Sequence, residues 1–250
     1  MRIPELVAHR GYTRHYPENT LPGIEAAITA GARFVEVDVQ LSADAVPVLF
    51  HDRQLLRVCG VPGAVHEYPL AALRKLRATE HERFGYRHTR VRLATLGDLV
   101  ELIHRHLHVQ VFVEIKRIAV ERFGVATVLQ QVLGTLEPVR DRCVPISYSH
   151  ELLLAARRQG VRRVGAILEK WRHRRRDLVR TIRPDYLFCD AEDLPRFGRL
   201  SGGGAELVIY EIDDARQALA LARRGVEFIE TFAIGELRAQ IELLAAEPRA

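Results

Sequence analysis

The chain has 250 residues, of which 48% are hydrophobic and 28% are charged, so a sizeable core can form and one α/β unit can hold the whole length. No run approaches the roughly 18 apolar residues of a membrane span, which excludes a transmembrane helix. The net charge of +5 and the pI of about 9.4 are compatible with nucleic acid or anionic lipid as a partner, and equally with an arginine-rich composition.

The first predicted strand begins almost at the N-terminus and delivers His9 and Arg10 to a polar loop. The residues before it have no apolar segment of the kind that a secretory signal needs. The three cysteines, Cys59, Cys143 and Cys189, are widely spaced and form no CxxC motif. Reduced thiols and a cytoplasmic location are therefore expected.

Short apolar runs then alternate with longer amphipathic segments along the whole chain. The predicted strands are 6–9, 34–39, 47–51, 109–115, 143–148, 163–168, 186–189, 207–212 and 228–232. Helical patterns lie between most of them, and several end in glycine shortly after arginine, which is typical of a C-terminal cap. Repeated strand–helix units in this number favour an α/β fold, a closed (β/α)8 TIM barrel, as a single domain over 1–250. An open doubly wound sheet is the alternative, although no GxGxxG motif follows the first strand.

Nine strands are one more than such a barrel needs. The third, 47–51, follows the second after a short turn that leaves no room for a crossover helix. We therefore expect it to be a short extra strand, a hairpin-like extension at the mouth of the barrel.

Charged residues alternate with apolar ones on two predicted strands. In FVEVDVQ, three valines share one face and the other face carries Glu36, Asp38 and Gln40; in VFVEIK, Glu114 and Lys116 share a face. Because the outer face of a barrel packs on helices, the charged faces are predicted to line the lumen near the carboxyl ends of the strands. A buried ion network is the structural alternative.

Three carboxylates, from Glu36, Asp38 and Glu114, are thus expected to converge with no cysteine nearby. Carboxylates in a small cavity cannot all stay ionised without a cation. Oxygen ligands suit one divalent cation, Mg²⁺ or Ca²⁺, with Mn²⁺ as a further candidate, rather than Zn²⁺.

Two histidines, His9 and His51, end separate strands at the same mouth. Histidine exchanges protons near neutral pH, and Arg10 and Lys116 supply positive charge that suits phosphate oxygens. Together with a divalent cation, these groups indicate phosphodiester cleavage, in which one histidine activates the nucleophile and the other protonates the leaving oxygen. The pattern does not say which histidine does which.

These motifs, in this order, resemble the glycerophosphodiester phosphodiesterase family of PLC-like TIM barrels. The motifs that carry the resemblance are His9-Arg10-Gly11, Pro17-Glu18-Asn19-Thr20, Glu36-x-Asp38, His51-Asp52 and Glu114-x-Lys116. The resemblance implies metal-dependent hydrolysis of glycerophosphodiesters to glycerol 3-phosphate and an alcohol. It also implies acid/base catalysis by the two histidines, phosphate binding by Arg10 and Lys116, and metal binding by the three carboxylates.

The resemblance weakens on the last two strands. Where the family has Trp-Thr-Val-Asn, this chain has Tyr210-Glu211-Ile212-Asp213, and where the family ends its last strand in Thr-Asp, this chain has Thr231-Phe232. These positions lie on the substrate side, so the headgroup is not predicted. Glu211 and Glu230 either favour a cationic headgroup, such as choline or ethanolamine, or pair with nearby arginines.

Further candidates for the substrate side are Glu18, Tyr210 and Trp171. Glu18, like Asn19, is expected mainly to fix the loop and the start of the first helix, and reaching the site is its alternative role. Trp171 is expected either to cover the site from the loop after the fifth barrel strand or simply to pack. It belongs to the basic cluster at 170–176, which is predicted to be a loop running into a helix. A solvated helix face is the main interpretation of that cluster, and a phosphate or membrane contact is the alternative.

A small-molecule glycerophosphodiester is the expected substrate. One alternative is a related barrel phosphodiesterase that acts on lysophospholipids or inositol-type diesters and releases a cyclic phosphate. Another is a non-catalytic barrel that binds phosphate or nucleic acid through its arginines. Because all the expected metal-binding and acid/base residues are present, no nucleic-acid partner is expected. The sequence does not indicate the oligomeric state.

Overall fold

The computed structural model describes residues 2–246; Met1 and residues 247–250, the two ends of the predicted domain, lie outside the described residues. Nine strands form one sheet: β1 (Glu5–His9), β2 (Phe34–Leu41), β3 (Pro47–Leu49), β4 (Gln110–Ile115), β5 (Cys143–Ser147), β6 (Gly165–Leu168), β7 (Tyr186–Asp190), β8 (Glu206–Tyr210) and β9 (Phe228–Thr231).

Eight of these strands are parallel and close into a barrel. Around it they follow the order β1-β9-β8-β7-β6-β5-β4-β2, and the pairing of β1 with β2 closes the ring. An open sheet would leave β1 or β2 with an unpaired edge, which is not the case. The predicted TIM barrel is therefore confirmed.

The ninth strand, β3, lies outside the barrel. It pairs antiparallel with the end of β2, so that Val39 faces Leu49 and Leu41 faces Pro47. The turn between the two strands is held by Ser42, whose hydroxyl accepts a hydrogen bond from the backbone N–H of Val46 at 3.0 Å. This hairpin confirms the predicted extension, and it brings His51 back toward the carboxyl end of β2.

The helices cover the outside of the barrel and its rim. Within residues 2–246 they are α1 (Leu21–Thr29), α2 (Leu56–Cys59), α3 (Leu70–Leu73), α4 (His81–Phe84), α5 (Leu96–His104), α6 (Arg117–Leu136), α7 (His150–Arg158), α8 (Asp177–Ile182), α9 (Ala215–Arg224) and α10 (Ile234–Ala246). Helix α6 is interrupted at Gly124, whose φ of 74° is left-handed. None of these helices is both long enough and apolar enough to cross a bilayer.

The barrel separates two apolar layers. Val35, Val37 and Val39 of β2 are fully buried in the outer layer, together with residues of the surrounding helices. The lumen holds a second layer in which the Phe112 ring lies 5.1 Å from that of Phe188, between ring centroids. This inner layer fills the barrel. The charged side chains at the carboxyl ends of the strands lie next to it.

Residues 53–95, here called the rim segment, form a third small core beside the barrel mouth. Leu55, Val58 and Leu73 are buried there against Phe50, which follows β3. Because Val58 of α2 belongs to this core, the core also fixes the polar side chains that α2 carries toward the mouth.

Candidate active site

The carboxyl ends of the barrel strands surround a cavity of about 80 Å³. Side chains from around the whole barrel line it: His9, Arg10, Glu36, His51, Glu114, Lys116, Ile146, Tyr148, Ile167, Phe188, Tyr210, Glu211 and Glu230. Both predicted acid/base histidines and both predicted phosphate-binding residues are therefore brought to one place.

Three buried carboxylates gather at one side of this cavity. Glu36, Asp38 and Glu114 each offer an oxygen, and these oxygens lie within 4.8 Å of one another. The parallel register of the strands explains the cluster, because Asp38 of β2 pairs directly with Glu114 of β4. The alternation predicted for both strands is confirmed, since their valines face outward.

Asp38 is the member of this acidic cluster whose negative charge has the most cationic partners. Lys116 Nζ lies 3.2 Å from Asp38 Oδ1, and Arg10 Nε lies 3.1 Å from Asp38 Oδ2. The Asn19 amide also donates to Asp38 Oδ2 at 2.8 Å. Burial alone would raise the pKa of Asp38, but Lys116 and Arg10 outweigh it and hold that pKa well below its usual range.

Glu36 lacks the ion pairs with Arg10 and Lys116 that Asp38 has. Burial, followed by the charges of Asp38 and Glu230, raises the pKa of Glu36 well above its usual value. Its Oε1 atom is buried without a hydrogen-bond partner. The pKa of Glu114 is also raised, mainly by burial, although Lys116 Nζ lies 2.8 Å from its Oε1. An unsatisfied oxygen in an oxygen-only cluster fits a divalent cation, as the sequence predicted, but does not distinguish Mg²⁺ from Ca²⁺.

His9 is held between two carboxylates. Its ring stacks on Phe232 with centroids 5.0 Å apart. Its Nδ1 lies 3.3 Å from Glu211 Oε1, and its Nε2 lies 3.6 Å from Glu36 Oε2. Burial and, after it, the neighbouring Arg10 lower the pKa of His9, although Glu211 and Asp38 oppose them.

His51 is oriented by a different pair of residues. Its Nδ1 lies 2.8 Å from Asp52 Oδ1. Arg57 grips both oxygens of Asp52, donating from Nε at 2.6 Å and from Nη2 at 2.9 Å. Although burial opposes them, the hydrogen bonds from His51 and Arg57 hold the pKa of Asp52 well below its usual range. Because an ionised carboxylate only accepts, the proton of the neutral ring is on Nδ1 and Nε2 is left as an acceptor.

Glu18 stands behind the site rather than in it. It is 7% exposed, accepts from Arg10 Nη1 at 3.4 Å and from Arg57 Nη2 at 2.6 Å. Its backbone N–H donates to Glu80 of the rim segment at 2.6 Å. Glu18 therefore connects the Arg10 loop to Arg57, as expected of a residue that fixes the loop. It does not line the cavity.

The structure does not bring Trp171 to the cavity. The basic cluster at 170–176 forms a 3₁₀ helix, Trp171–Arg175, that leads into α8. The Trp171 indole is buried in the outer apolar layer, and the Arg174 guanidinium lies 4.1 Å from its ring centroid. Of the two interpretations of Trp171, packing is the one that the structure supports.

Tyr210 and Glu211 line the cavity. Tyr148, which was not among the predicted site residues, lines it too. The Tyr148 hydroxyl lies 2.8 Å from that of Tyr210. Ile146 and Tyr148 alternate with Ser147 at the end of β5, so the same alternation that predicted the carboxylates also indicates Tyr148. Arg57 and Glu80 were also missed, and no local pattern marks them.

Residues 9–180 match the model of the glycerophosphoryl diester phosphodiesterase family, which is more than half of the chain. The chain belongs to this family. The matched stretch contains both histidines and all three carboxylates of the acidic cluster, so the resemblance carried by the sequence motifs is confirmed.

Curated members of the family are similar over part of their length. A glycerophosphodiester phosphodiesterase of Bacillus altitudinis is 27% identical over 150 residues, which cover 59% of each chain. A probable glycerophosphodiester phosphodiesterase 1 of Mycobacterium tuberculosis is 40% identical over 117 residues, 45% of this chain and 43% of that one. The chain thus spans about half the length of these two relatives.

Solved structures share the fold over nearly the whole chain. A phosphodiesterase of Oleispira antarctica, in complex with the product sn-glycerol-3-phosphate, superposes with a TM-score of 0.80 at 22% identity, covering 96% of this chain and 97% of its own. A glycerophosphodiester phosphodiesterase of Agrobacterium tumefaciens has a TM-score of 0.76 at 23% identity, covering 95% and 100%.

Proposed function

We propose that this chain is a metal-dependent phosphodiesterase that hydrolyses glycerophosphodiesters to glycerol 3-phosphate and an alcohol. The observation that carries the proposal is the convergence of two histidines, two cations and three carboxylates on one cavity at the barrel mouth. Membership of the family supports it. The glycerol 3-phosphate bound to the Oleispira antarctica phosphodiesterase supports a small-molecule substrate.

Glu36, Asp38 and Glu114 would hold one divalent cation, Mg²⁺ or Ca²⁺, with Mn²⁺ as a further candidate. When bound, that ion supplies positive charge to the phosphoryl oxygens. Arg10 and Lys116 contact the same carboxylates, so their positive charge lies at the edge of the acidic cluster. There they hold the phosphate of the diester and stabilise the charge that develops on it.

His9 and His51 transfer the protons. One accepts the proton of the attacking group, and the other donates a proton to the leaving oxygen. Each ring has a carboxylate near Nδ1, Glu211 for His9 and Asp52 for His51, and that carboxylate would stabilise the protonated ring. The hydrogen bond between Asp52 and His51 also fixes the tautomer of His51. Glu211 therefore acts on His9 through its charge in this proposal, and Tyr210 forms part of the cavity wall.

The identity of the product tests this function against its two alternatives. Incubation with glycerophosphoethanolamine and Mg²⁺ or Ca²⁺, followed by ³¹P NMR, is expected to show glycerol 3-phosphate. A five-membered cyclic glycerol phosphate as the final product would favour the lyase-like alternative. No turnover from folded, metal-loaded protein that binds DNA or RNA in a salt-sensitive way would favour the non-catalytic barrel.

Arg57 is expected to be a positioning residue for His51. Arg57→Gln removes the two hydrogen bonds that the guanidinium donates to Asp52, so Asp52 and the His51 ring bound to it lose their fixed orientation. We expect kcat to fall about 10- to 100-fold with little change in KM, because a misplaced proton-transfer group affects the reaction more than binding. The pH profile of kcat should also shift, since the charge that stabilises Asp52 is lost. Steady-state kinetics at several pH values measure both effects.

Arg53→Gln is the matched control for Arg57→Gln. Arg53 precedes α2, which carries Arg57, and the Arg53 guanidinium pairs with exposed Glu121 at 2.7 Å, outside the cavity. The variant Arg53→Gln should leave kcat and the pH profile of kcat unchanged. An unchanged pH profile in Arg57→Gln, with a loss of activity that follows only the loss of folded protein, would contradict the positioning role.

A further inference from the structure

The rim segment carries a basic surface that has no role in the proposed reaction. Residues 53–95 contain nine lysines and arginines but only three glutamates and no aspartate. Arg57 and Arg83 pair with Glu80, whereas four further arginines form no ion pair among residues 2–246. These four, here called the rim arginines, are Arg77, Arg87, Arg90 and Arg92.

Two of the rim arginines are held opposite each other. Arg77 and Arg92 are partners in an isolated antiparallel bridge. Like charges directly opposite each other in such a pair destabilise the fold. Because no carboxylate of the described chain pairs with either guanidinium, the charge that would offset this repulsion has to come from an anion outside the chain.

The rim arginines lie beside the barrel mouth. The loop that follows β1 at the mouth contacts the stretch 83–92: Arg83 donates to the carbonyl oxygen of Thr13, and His88 Nε2 lies 3.0 Å from the carbonyl oxygen of His15. The positive charge of the rim segment is therefore at the end of the barrel where the cavity opens.

Two apolar side chains are exposed among these arginines. Leu56 of α2 is 63% exposed, and Tyr86, which follows α4, is 82% exposed. The two helices are neighbours, because the backbone N–H of Glu80, just before α4, donates to the carbonyl of Val58 in α2 at 3.1 Å. Leucine and tyrosine gain from the layer between lipid headgroups and acyl chains, whereas a nucleic-acid backbone offers an exposed leucine no apolar contact. The combination favours a lipid surface.

The basic cluster at 170–176 adds further arginines to the same face. It begins just after β6 ends at Leu168, so it also lies at the carboxyl ends of the strands. Arg172 and Arg175 are exposed and form no ion pair among residues 2–246, whereas Lys170 pairs with Asp193. In the ring of eight strands β6 lies opposite β1, so the two basic regions flank the mouth from opposite sides. A small anion cannot reach both regions, but a broad anionic surface can.

We propose that the mouth face of the barrel docks on the surface of an anionic phospholipid bilayer. The rim arginines, together with Arg172 and Arg175, contact the lipid phosphates, and Leu56 and Tyr86 enter the interfacial layer. The inference goes beyond the proposed function, because docking requires neither the metal nor a diester in the cavity.

Sedimentation with vesicles measures docking in the absence of any substrate. The wild-type chain is mixed with vesicles of phosphatidylcholine alone and with vesicles of phosphatidylcholine and phosphatidylglycerol. We expect binding to the mixed vesicles to be about 10-fold or more tighter, and to weaken as salt screens the charges. Equal binding to the two kinds of vesicle, or binding to neither, would overturn the inference.

Two double variants test the charges and the apolar contact separately. Each arginine near an anionic surface contributes about fivefold to the binding constant, so Arg87→Gln/Arg90→Gln should weaken vesicle binding about 10- to 30-fold. Leu56→Ser/Tyr86→Ser should weaken it about 10-fold or more. Because all four side chains are exposed, both variants should stay folded and keep wild-type turnover of soluble glycerophosphoethanolamine. Wild-type binding to the mixed vesicles in both variants would contradict docking through this face.

Matched controls lie at the opposite end of the barrel, where the helices end. Arg105→Gln/Arg158→Gln removes two exposed charges beside the carboxyl ends of α5 and α7, and Leu107→Ser removes a side chain that is 74% exposed. These controls should bind the mixed vesicles as the wild type does. An equal loss in the controls and in the rim variants would attribute binding to net charge and overturn the docked orientation.

Single-stranded DNA distinguishes a bilayer from a nucleic-acid partner. We expect vesicle binding to persist at salt concentrations that release DNA, because salt does not screen the contacts of Leu56 and Tyr86. DNA binding that outlasts vesicle binding as salt is raised, and that is unchanged in Leu56→Ser/Tyr86→Ser, would replace the bilayer by nucleic acid as the partner of this face.

Discussion

His51→Gln is expected to lower kcat for glycerophosphodiester hydrolysis by about 10²- to 10⁴-fold, the usual contribution of a general acid or base. The loss of kcat in His9→Gln is expected to lie in the same range. Neither glutamine can exchange a proton near neutral pH, so the loss should appear in kcat at saturating substrate. His51 has 31% of its side chain exposed, so its replacement leaves no cavity in the core and the fold should persist.

His9 is more deeply placed than His51, with 6% exposure and a ring stacked on Phe232. His9→Gln should therefore also lower the melting temperature slightly, and that effect has to be measured beside kcat. His104→Gln is the matched control, because His104 is an exposed residue at the carboxyl end of α5. Turnover within about threefold of the wild type in either His9→Gln or His51→Gln would contradict the acid/base pair.

Glu36→Gln is expected to abolish metal-dependent activity, with a loss of about 10³-fold or more, because the ion supplies several kcal/mol of charge stabilisation. The same change should raise the melting temperature of the metal-free protein. Glu36 is buried with an unpartnered oxygen beside the carboxylates of Asp38 and Glu114, and removing its charge relieves their repulsion. Opposite effects on stability and on activity distinguish a metal ligand from a residue of the structural ion network.

The response of the melting temperature to metal completes that test. Mg²⁺ or Ca²⁺ should stabilise the wild type, as a ligand that binds only the folded state does, and should not stabilise Glu36→Gln. Glu67→Gln is a suitable control, because Glu67 lies in the rim segment and caps the 3₁₀ helix there through the N–H of Ala64. An equal thermal shift in wild type and Glu36→Gln would exclude Glu36 as a ligand.

Much of the barrel and of the acidic cluster could be predicted because both follow from the two-residue period of a strand. In β2 and β4 the period fixed which side chains face the lumen, and the parallel register then brought Asp38 beside Glu114. The hairpin was predictable for a similar reason, since five residues cannot form a crossover. Tyr148 obeys the same rule at the end of β5, and the signal for it was present in the sequence.

The support of His51 could not be predicted, because it depends on contacts between irregular segments. Arg57 reaches Glu18 across 39 positions of sequence, and Glu80 reaches the Glu18 backbone across 62. No periodicity indicates where such side chains point. The position of Trp171 has the same cause: it lies in a 3₁₀ helix between β6 and α8, where the sequence alone does not determine the direction of a side chain.

For Glu230, the sequence predicts the position of the side chain but not its contacts. Its place in the lumen follows from the alternation of β9, but the sequence could not show whether a partner reaches it. Only the arrangement of neighbouring side chains shows that no residue from 2 to 246 forms an ion pair with it and that its Oε1 has no hydrogen-bond partner. The unpartnered carboxyl oxygens of the cavity, on both Glu36 and Glu230, are therefore a property that only the three-dimensional structure reveals.

The most direct test of the proposed function is metal reconstitution of the wild type. Protein stripped with EDTA is assayed for release of glycerol 3-phosphate from glycerophosphoethanolamine while Mg²⁺ or Ca²⁺ is added back. We expect no release from the stripped protein and full recovery with at least one of the two ions. Undiminished release from protein shown to be free of metal, or no release from folded protein shown to bind it, would contradict a metal-dependent glycerophosphodiester phosphodiesterase.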